Sequence, residues 1–123
     1  MSEGDQPERE WRHYIQDMFE FSKRIVSYTD GLSQTQFVAD TLIYDATLRN
    51  VELIGEAARH VPSEIRTAYP NTPWRAIIGA RNRVVHAYLG IDDDVIWDII
   101  RTDVPSLITQ MQELLRNTQG ESG

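Results

Sequence analysis

The segment RNRVVHAY, residues 81–88, sets Arg81, Asn82, His86 and Tyr88 within a stretch whose other members are mostly apolar. Burying an arginine or a histidine costs free energy unless each finds a partner, so their presence here needs a reason. Histidine gives and takes protons near neutral pH. Arginine holds a phosphate through two parallel hydrogen bonds and stabilises added negative charge. Such a pair has the groups needed to cleave a phosphodiester of RNA without a metal.

Their spacing limits how they can cooperate. A helix turns about 100° per residue, which gathers Trp74, Ile77, Ile78, Val84, Val85 and Tyr88 on one face with Arg81 at its centre. Asn82 and His86, about 40° apart, share the adjoining flank with Arg75 and Gly79, and Gly79 leaves room there for a ligand or a second backbone. Arg81 and His86 are about 140° apart, too far for one copy to bring both onto one phosphate. A dimer that joins two such helices removes that obstacle. Taken singly, each residue also has a plain structural role. Arg81 suits a buried ion pair with an acid among Asp45, Glu52 and Glu56, His86 a helix C-cap or a core donor, and Tyr88 a core aromatic with its hydroxyl at the surface.

Composition narrows the other chemistry. The net charge of −7 argues against a broad DNA-binding surface, because the body of the protein repels polyanions. Residues 59–90 nevertheless hold Arg59, Arg66, Arg75, Arg81 and Arg83 against the single acid Glu64, a local charge of +4 that leaves −11 elsewhere. A basic site of that size could hold a few phosphates; scattered solvated arginines are the plainer alternative. With no cysteine there is no disulfide and no Cys-ligated zinc, which suits a reducing cytosol. Asp92, Asp93 and Asp94 read as helix-capping carboxylates rather than metal ligands, since no close His pair supports them. No Gly-rich phosphate loop and no triad spacing for His86 are present, so no cofactor or metal is expected. No apolar run approaches the roughly 18 residues of a membrane span, and the acidic start MSEGDQPERE is unlike a signal peptide. The expectation is a soluble, cytoplasmic protein.

The elements that must position these residues are helical nearly throughout. Residues 7–29 place Trp11, Tyr14, Ile15, Met18, Phe19, Ile25 and Val26 at spacings of three and four, the pattern of an amphipathic helix. Asp30-Gly31 breaks it, and Ser33 is placed to cap a short turn. A second long helix covers 40–60, and a short one lies between Pro62 and Tyr69. Thr72 is placed to cap the motif helix with Pro73 at its first position; that helix runs to about Tyr88 and ends at Gly90. A final helix is expected from Asp93 to Arg116, kinked at Pro105. The sum is one all-α domain over 1–123, an antiparallel bundle of four main helices plus short ones, with 1–6 and 117–123 expected to be flexible.

The motif R-x-x-x-x-H-x-Y, here Arg81, His86 and Tyr88 with polar Asn82 after the arginine, resembles the signature of the HEPN superfamily and in particular its HepT-like toxins, the DUF86 family. The blocks DATLRNVELIGEAARHVP, YPNTPWRAIIGARNRVVHAYLGID and VIWDIIRTDVPSL resemble that family's blocks in its order. The resemblance implies a helical-bundle homodimer with a metal-independent RNase site where two motifs face each other. In that site Arg81 would hold the scissile phosphate, His86 would act as general base or acid, and Asn82 would orient one or the other. It also implies a partner, an MntA-like nucleotidyltransferase antitoxin that attaches AMP to the motif tyrosine, here Tyr88. Two alternatives remain: a HEPN-fold nucleotide-binding or regulatory dimer without nuclease activity, and a structural dimer whose Arg81 only pairs with an acid.

Overall fold

The architecture follows from a computed structural model, which describes residues 6–90 and 92–119. These residues form helices and connecting turns, with no strand among them. In chain order the helices are α1 (Gln6–Thr29), α2 (Gln34–Ala39), α3 (Thr41–Arg59), α4 (Ser63–Ala68), α5 (Trp74–Tyr88), α6 (Asp93–Asp98), a π-helical segment (Ile99–Asp103) and α7 (Val104–Gln119). The all-α bundle read from the sequence is therefore what forms. Residues 1–5 and 120–123, which carry most of the ends expected to be flexible, lie outside the described residues.

Local chemistry explains most boundaries. Ser33 and Gln36 form a reciprocal capping box at the start of α2. The Asp40 carboxylate accepts the Ile43 N–H at the start of α3. The start of α5 differs from expectation. Pro73 is the cap residue, one position later than expected, and the Thr72 side chain makes no cap. Thr72 is buried, and its carbonyl accepts the Trp74 N–H at 2.8 Å, so its backbone does the anchoring instead. The last helix is not continuous either. The Val104 N–H reaches back to the Ile99 carbonyl, a π-type bond that inserts an extra residue just before Pro105, whose missing N–H cannot serve the carbonyl four residues back. Beyond Arg116 the helix continues to Gln119, and buried Thr118 accepts an N–H from Arg12 at 3.2 Å.

Packing follows the amphipathic stripes. α3 packs against both α1 and α5, and α7 packs against α1. Ile15, Met18, Ile25, Phe37, Leu48, Ile96, Met111 and Leu114 are fully buried between them. Truncating a side chain such as Met18 to Ala would cost about 2–5 kcal/mol. The buried stripe of α5 is Trp74, Ile77, Ala80, Val84 and Ala87. That corrects the face expected from sequence: its centre lies about 60° from Arg81, leaving Val85 and Tyr88 exposed. Alanines at 80 and 87 carried too little hydrophobic signal to outvote valine and tyrosine.

Gly55 decides how closely α5 can lie on α3. A Cβ there would sit 2.9 Å from the Ile77 carbonyl oxygen, a backbone atom that cannot step aside cheaply. Gly79, also in a helix, faces open space. Gly55→Ala should therefore destabilise by about 1–3 kcal/mol through overpacking, whereas Gly79→Ala should stabilise by roughly 0.4–1 kcal/mol through helix propensity and a less entropic unfolded chain. Urea denaturation of the two variants beside wild type checks both signs.

Candidate active site

α5 carries all four singled-out residues, but it sends them to different neighbours. Arg81 turns toward α3, where its Nη1 donates to Glu56 Oε2 at 2.9 Å. Glu56 also lies 3.9 Å from Arg59 and 3.6 Å from His60, through its other oxygen. Both ends of the Arg81–Glu56 pair are about 40% exposed, so the pair adds little stability, less than about 1 kcal/mol. Its partner is one of the three α3 acids expected for Arg81, but the pair is half-exposed rather than buried.

His86 goes the other way. Its Nδ1 lies 3.0 Å from Asp92 Oδ2, and Arg83 Nη1 lies 3.4 Å from the same oxygen. The chain can return Asp92 to this place because Gly90 adopts φ +75°, a left-handed turn that side-chain-bearing residues rarely take. Asp92 was expected to cap the next helix. It occupies the cap position, yet its side chain makes no cap bond, and Asp93 and Asp94 are likewise drawn elsewhere, to Tyr44 and Gln34. The carboxylate run complements the α6 dipole but serves tertiary contacts. Sequence reasoning missed Asp92 as a site residue. The available signal was a histidine and an aspartate six apart across a glycine.

Asn82, Arg83 and His86 form one lip of a groove of about 640 Å³ between α5 and α7, with Gly79 beside them. Val51, Ile54 and Ile77 contribute apolar lining, and Asp98 and Asp103 lie on the opposite lip. Burial, and then the charge of Asp98, push the Asp103 carboxyl above its usual range. The five arginines of residues 59–90 do not gather into one basic site. Arg59 and Arg81 approach Glu56, Arg83 meets Asp92, and Arg66 and Arg75 line a separate shallow pocket. Among the described residues no group of three or more His, Asp or Glu is placed to hold a metal. No described helix is long and apolar enough to cross a membrane.

Tyr88 lies on the Arg81 side of α5, exposed, its ring edge-on to Tyr44 at 6.2 Å between centroids. The Tyr44 hydroxyl shares its one proton between the Ala87 carbonyl, 2.9 Å away, and the Asp93 carboxylate. Desolvation, then the hydrogen bond and charge of Asp93, push the Tyr44 phenol well above the ordinary tyrosine value. Desolvation followed by Asp45 and Glu52 raises Tyr88 too, with Arg49 opposing. Each phenol holds its proton more tightly folded than unfolded. Its contribution to stability is complete below the unfolded value of about 10 and is lost as pH rises through the folded value. Stability should therefore fall as pH rises above about 10, and Tyr44→Phe should flatten that slope while costing about 1 kcal/mol at neutral pH. Denaturant midpoints across that range provide the measurement.

Residues 18–114 match the family described as Ribonuclease HepT-like. The chain is 31% identical to "Putative RNase MJ0127" of Methanocaldococcus jannaschii over 94% of this chain and 95% of that protein. It is 31% identical to "Probable ribonuclease HepT" of Thermococcus cleftensis, over 86% of this chain and 96% of that protein. A third relative, "Putative RNase TTE0752" of Caldanaerobacter subterraneus, is 31% identical over 85% of this chain and 94% of its own length. No solved structure gives a significant match. With the helical bundle and the motif helix in place, a match over so much of the chain makes it a member of the HepT-like ribonuclease family.

Proposed function

We propose that the chain is the toxin of a toxin–antitoxin pair, a homodimeric endoribonuclease that cleaves RNA without a metal through Arg81 and His86. Asn82 supports them, and an MntA-like nucleotidyltransferase antitoxin silences the enzyme by attaching AMP to Tyr88. The observation that carries this reading is the outward arc of α5. Arg75, Asn82, Val85 and His86 are exposed along it, with Arg81 at one margin and His86 toward the other. A second α5 crossing near Asn82 about a two-fold axis would turn Arg81 of one copy toward His86 of the other. Val85, Leu89 and Leu42 are 61%, 69% and 80% exposed and offer the apolar surface such a contact would cover.

In this site His86 takes the 2′-hydroxyl proton while Arg81 stabilises the charge that builds on the phosphate, and the product carries a 2′,3′-cyclic phosphate. Arg81 must then exchange or share Glu56 with the phosphate. A permanent hold on Glu56 would instead favour a non-catalytic, nucleotide-binding or regulatory dimer. Light scattering at micromolar concentration should give about twice 14.2 kDa. RNA cleavage should persist in EDTA and fall by about 10²–10⁴-fold in His86→Ala with little change in melting temperature. A monomer, or full activity in His86→Ala, defeats the composite site.

Tyr88 explains control. Its raised phenol stays protonated at neutral pH, so a modifying enzyme must bring its own base. Attached AMP adds bulk and negative charge beside Arg81, on the face where RNA would bind. Incubation with the partner nucleotidyltransferase, ATP and magnesium should add multiples of AMP to wild type but not to Tyr88→Phe, read by intact mass spectrometry. Tyr88→Phe should remain an active RNase. Equal mass gains on both would place the control point elsewhere.

A further inference from the structure

His86 does not stand alone at the lip of the groove. Its side chain and that of Arg83 are each 52% exposed, whereas the Asp92 side chain between them is 11% exposed. A carboxylate this covered keeps its charge only through partners. Arg83, permanently charged, supplies one, and the histidine ring supplies the other. An ionised carboxylate has no proton to give, so the 3.0 Å contact is made by a proton on Nδ1 of His86. In the neutral ring Nε2 is then the acceptor. The backbone holds the arrangement rigid: the Asp92 carbonyl accepts the Ile96 N–H at 2.9 Å, and the Gly90 turn fixes its distance from α5. A capping role would use the same carboxylate on an N–H of the first turn of α6, and that bond is not made.

We infer that Asp92 is a positioning residue for His86, with Arg83 holding the carboxylate charged and in place. Asp92 fixes the Nδ1–H tautomer and the plane of the ring, and it stabilises the imidazolium that forms when Nε2 accepts a proton. The inference rests on the reading of His86 as the proton-transfer group. In that step the 2′-hydroxyl proton passes to Nε2, the 2′-oxygen–phosphorus bond forms, the phosphorus–5′-oxygen bond breaks, and the leaving oxygen takes a proton from water.

Long-range ¹⁵N–¹H NMR of the full chain at mildly alkaline pH, where histidines are ordinarily neutral, is the test. Wild-type His86 is expected to be protonated on Nδ1 and bare on Nε2. Asp92→Asn should shift the ring toward the opposite tautomer and lower kcat for RNA cleavage by about 10²–10⁴-fold, with KM changed less than about threefold. Asp92→Glu, which keeps the charge, should recover part of the rate. A wild-type ring protonated on Nε2, or an unaltered tautomer in Asp92→Asn, overturns the inference. These spectra need no substrate, so they stand apart from His86→Ala, whose full activity would overturn the reading of the site instead. If Asp92→Asn does not fold, the wild-type spectrum decides alone.

Discussion

The close approach of α5 to α3 at Gly55 is the contact on which the rest of the site depends. With 2.9 Å between an imagined Cβ and the Ile77 carbonyl oxygen, the two backbones are as near as a glycine allows. That nearness sets the reach of every side chain that bridges them. Glu56, one residue on, meets Arg81, and Tyr44, further up α3, reaches the Ala87 carbonyl and Asp93. A wider spacing would leave these polar groups short of their partners, and a half-buried polar group without a partner costs more than the bond it lost.

Held this way, α5 has three unlike sides. One is buried along Trp74, Ile77, Ala80, Val84 and Ala87, one carries Arg81 and Tyr88 beside α3, and one carries Asn82, Arg83 and His86 along the groove facing α7. Arg81 and His86 are thus separated by the helix itself, each paired with its own acid. In the proposed mechanism Asp92 orients His86 in advance of the reaction, while Arg81 exchanges or shares Glu56 with the phosphate. The two pairs differ in kind. Glu56 is open to water and exchangeable, whereas Asp92 is covered and fixed.

An acidic protein that acts on RNA needs its cations presented selectively. The arginines of residues 59–90 are mostly partnered by acids, which lowers the long-range attraction for polyanions while leaving guanidinium groups where a phosphate can compete for them. On this view the net charge of −7 restrains non-specific binding rather than opposing the chemistry.

The sequence by itself determined the helical class, the extent of most helices and the identity of the motif residues, because these rest on local terms: periodic apolar positions, capping at Ser33, and breaks at glycine and proline. The 140° between Arg81 and His86 was likewise legible, being a property of one helix. What only the tertiary structure decided is where each face of that helix points. Small alanines at 80 and 87 turned out to be core, and Val85 was left outside. The partners were hidden for the same reason. Glu56 was one of three candidates until packing chose it, and Asp92 read as a cap because capping is local, while its bond to His86 depends on how the chain turns at Gly90 and where α6 then docks. Helix propensity and periodicity act within a few residues, but which acid meets which base is a matter of distances that only the packed bundle defines.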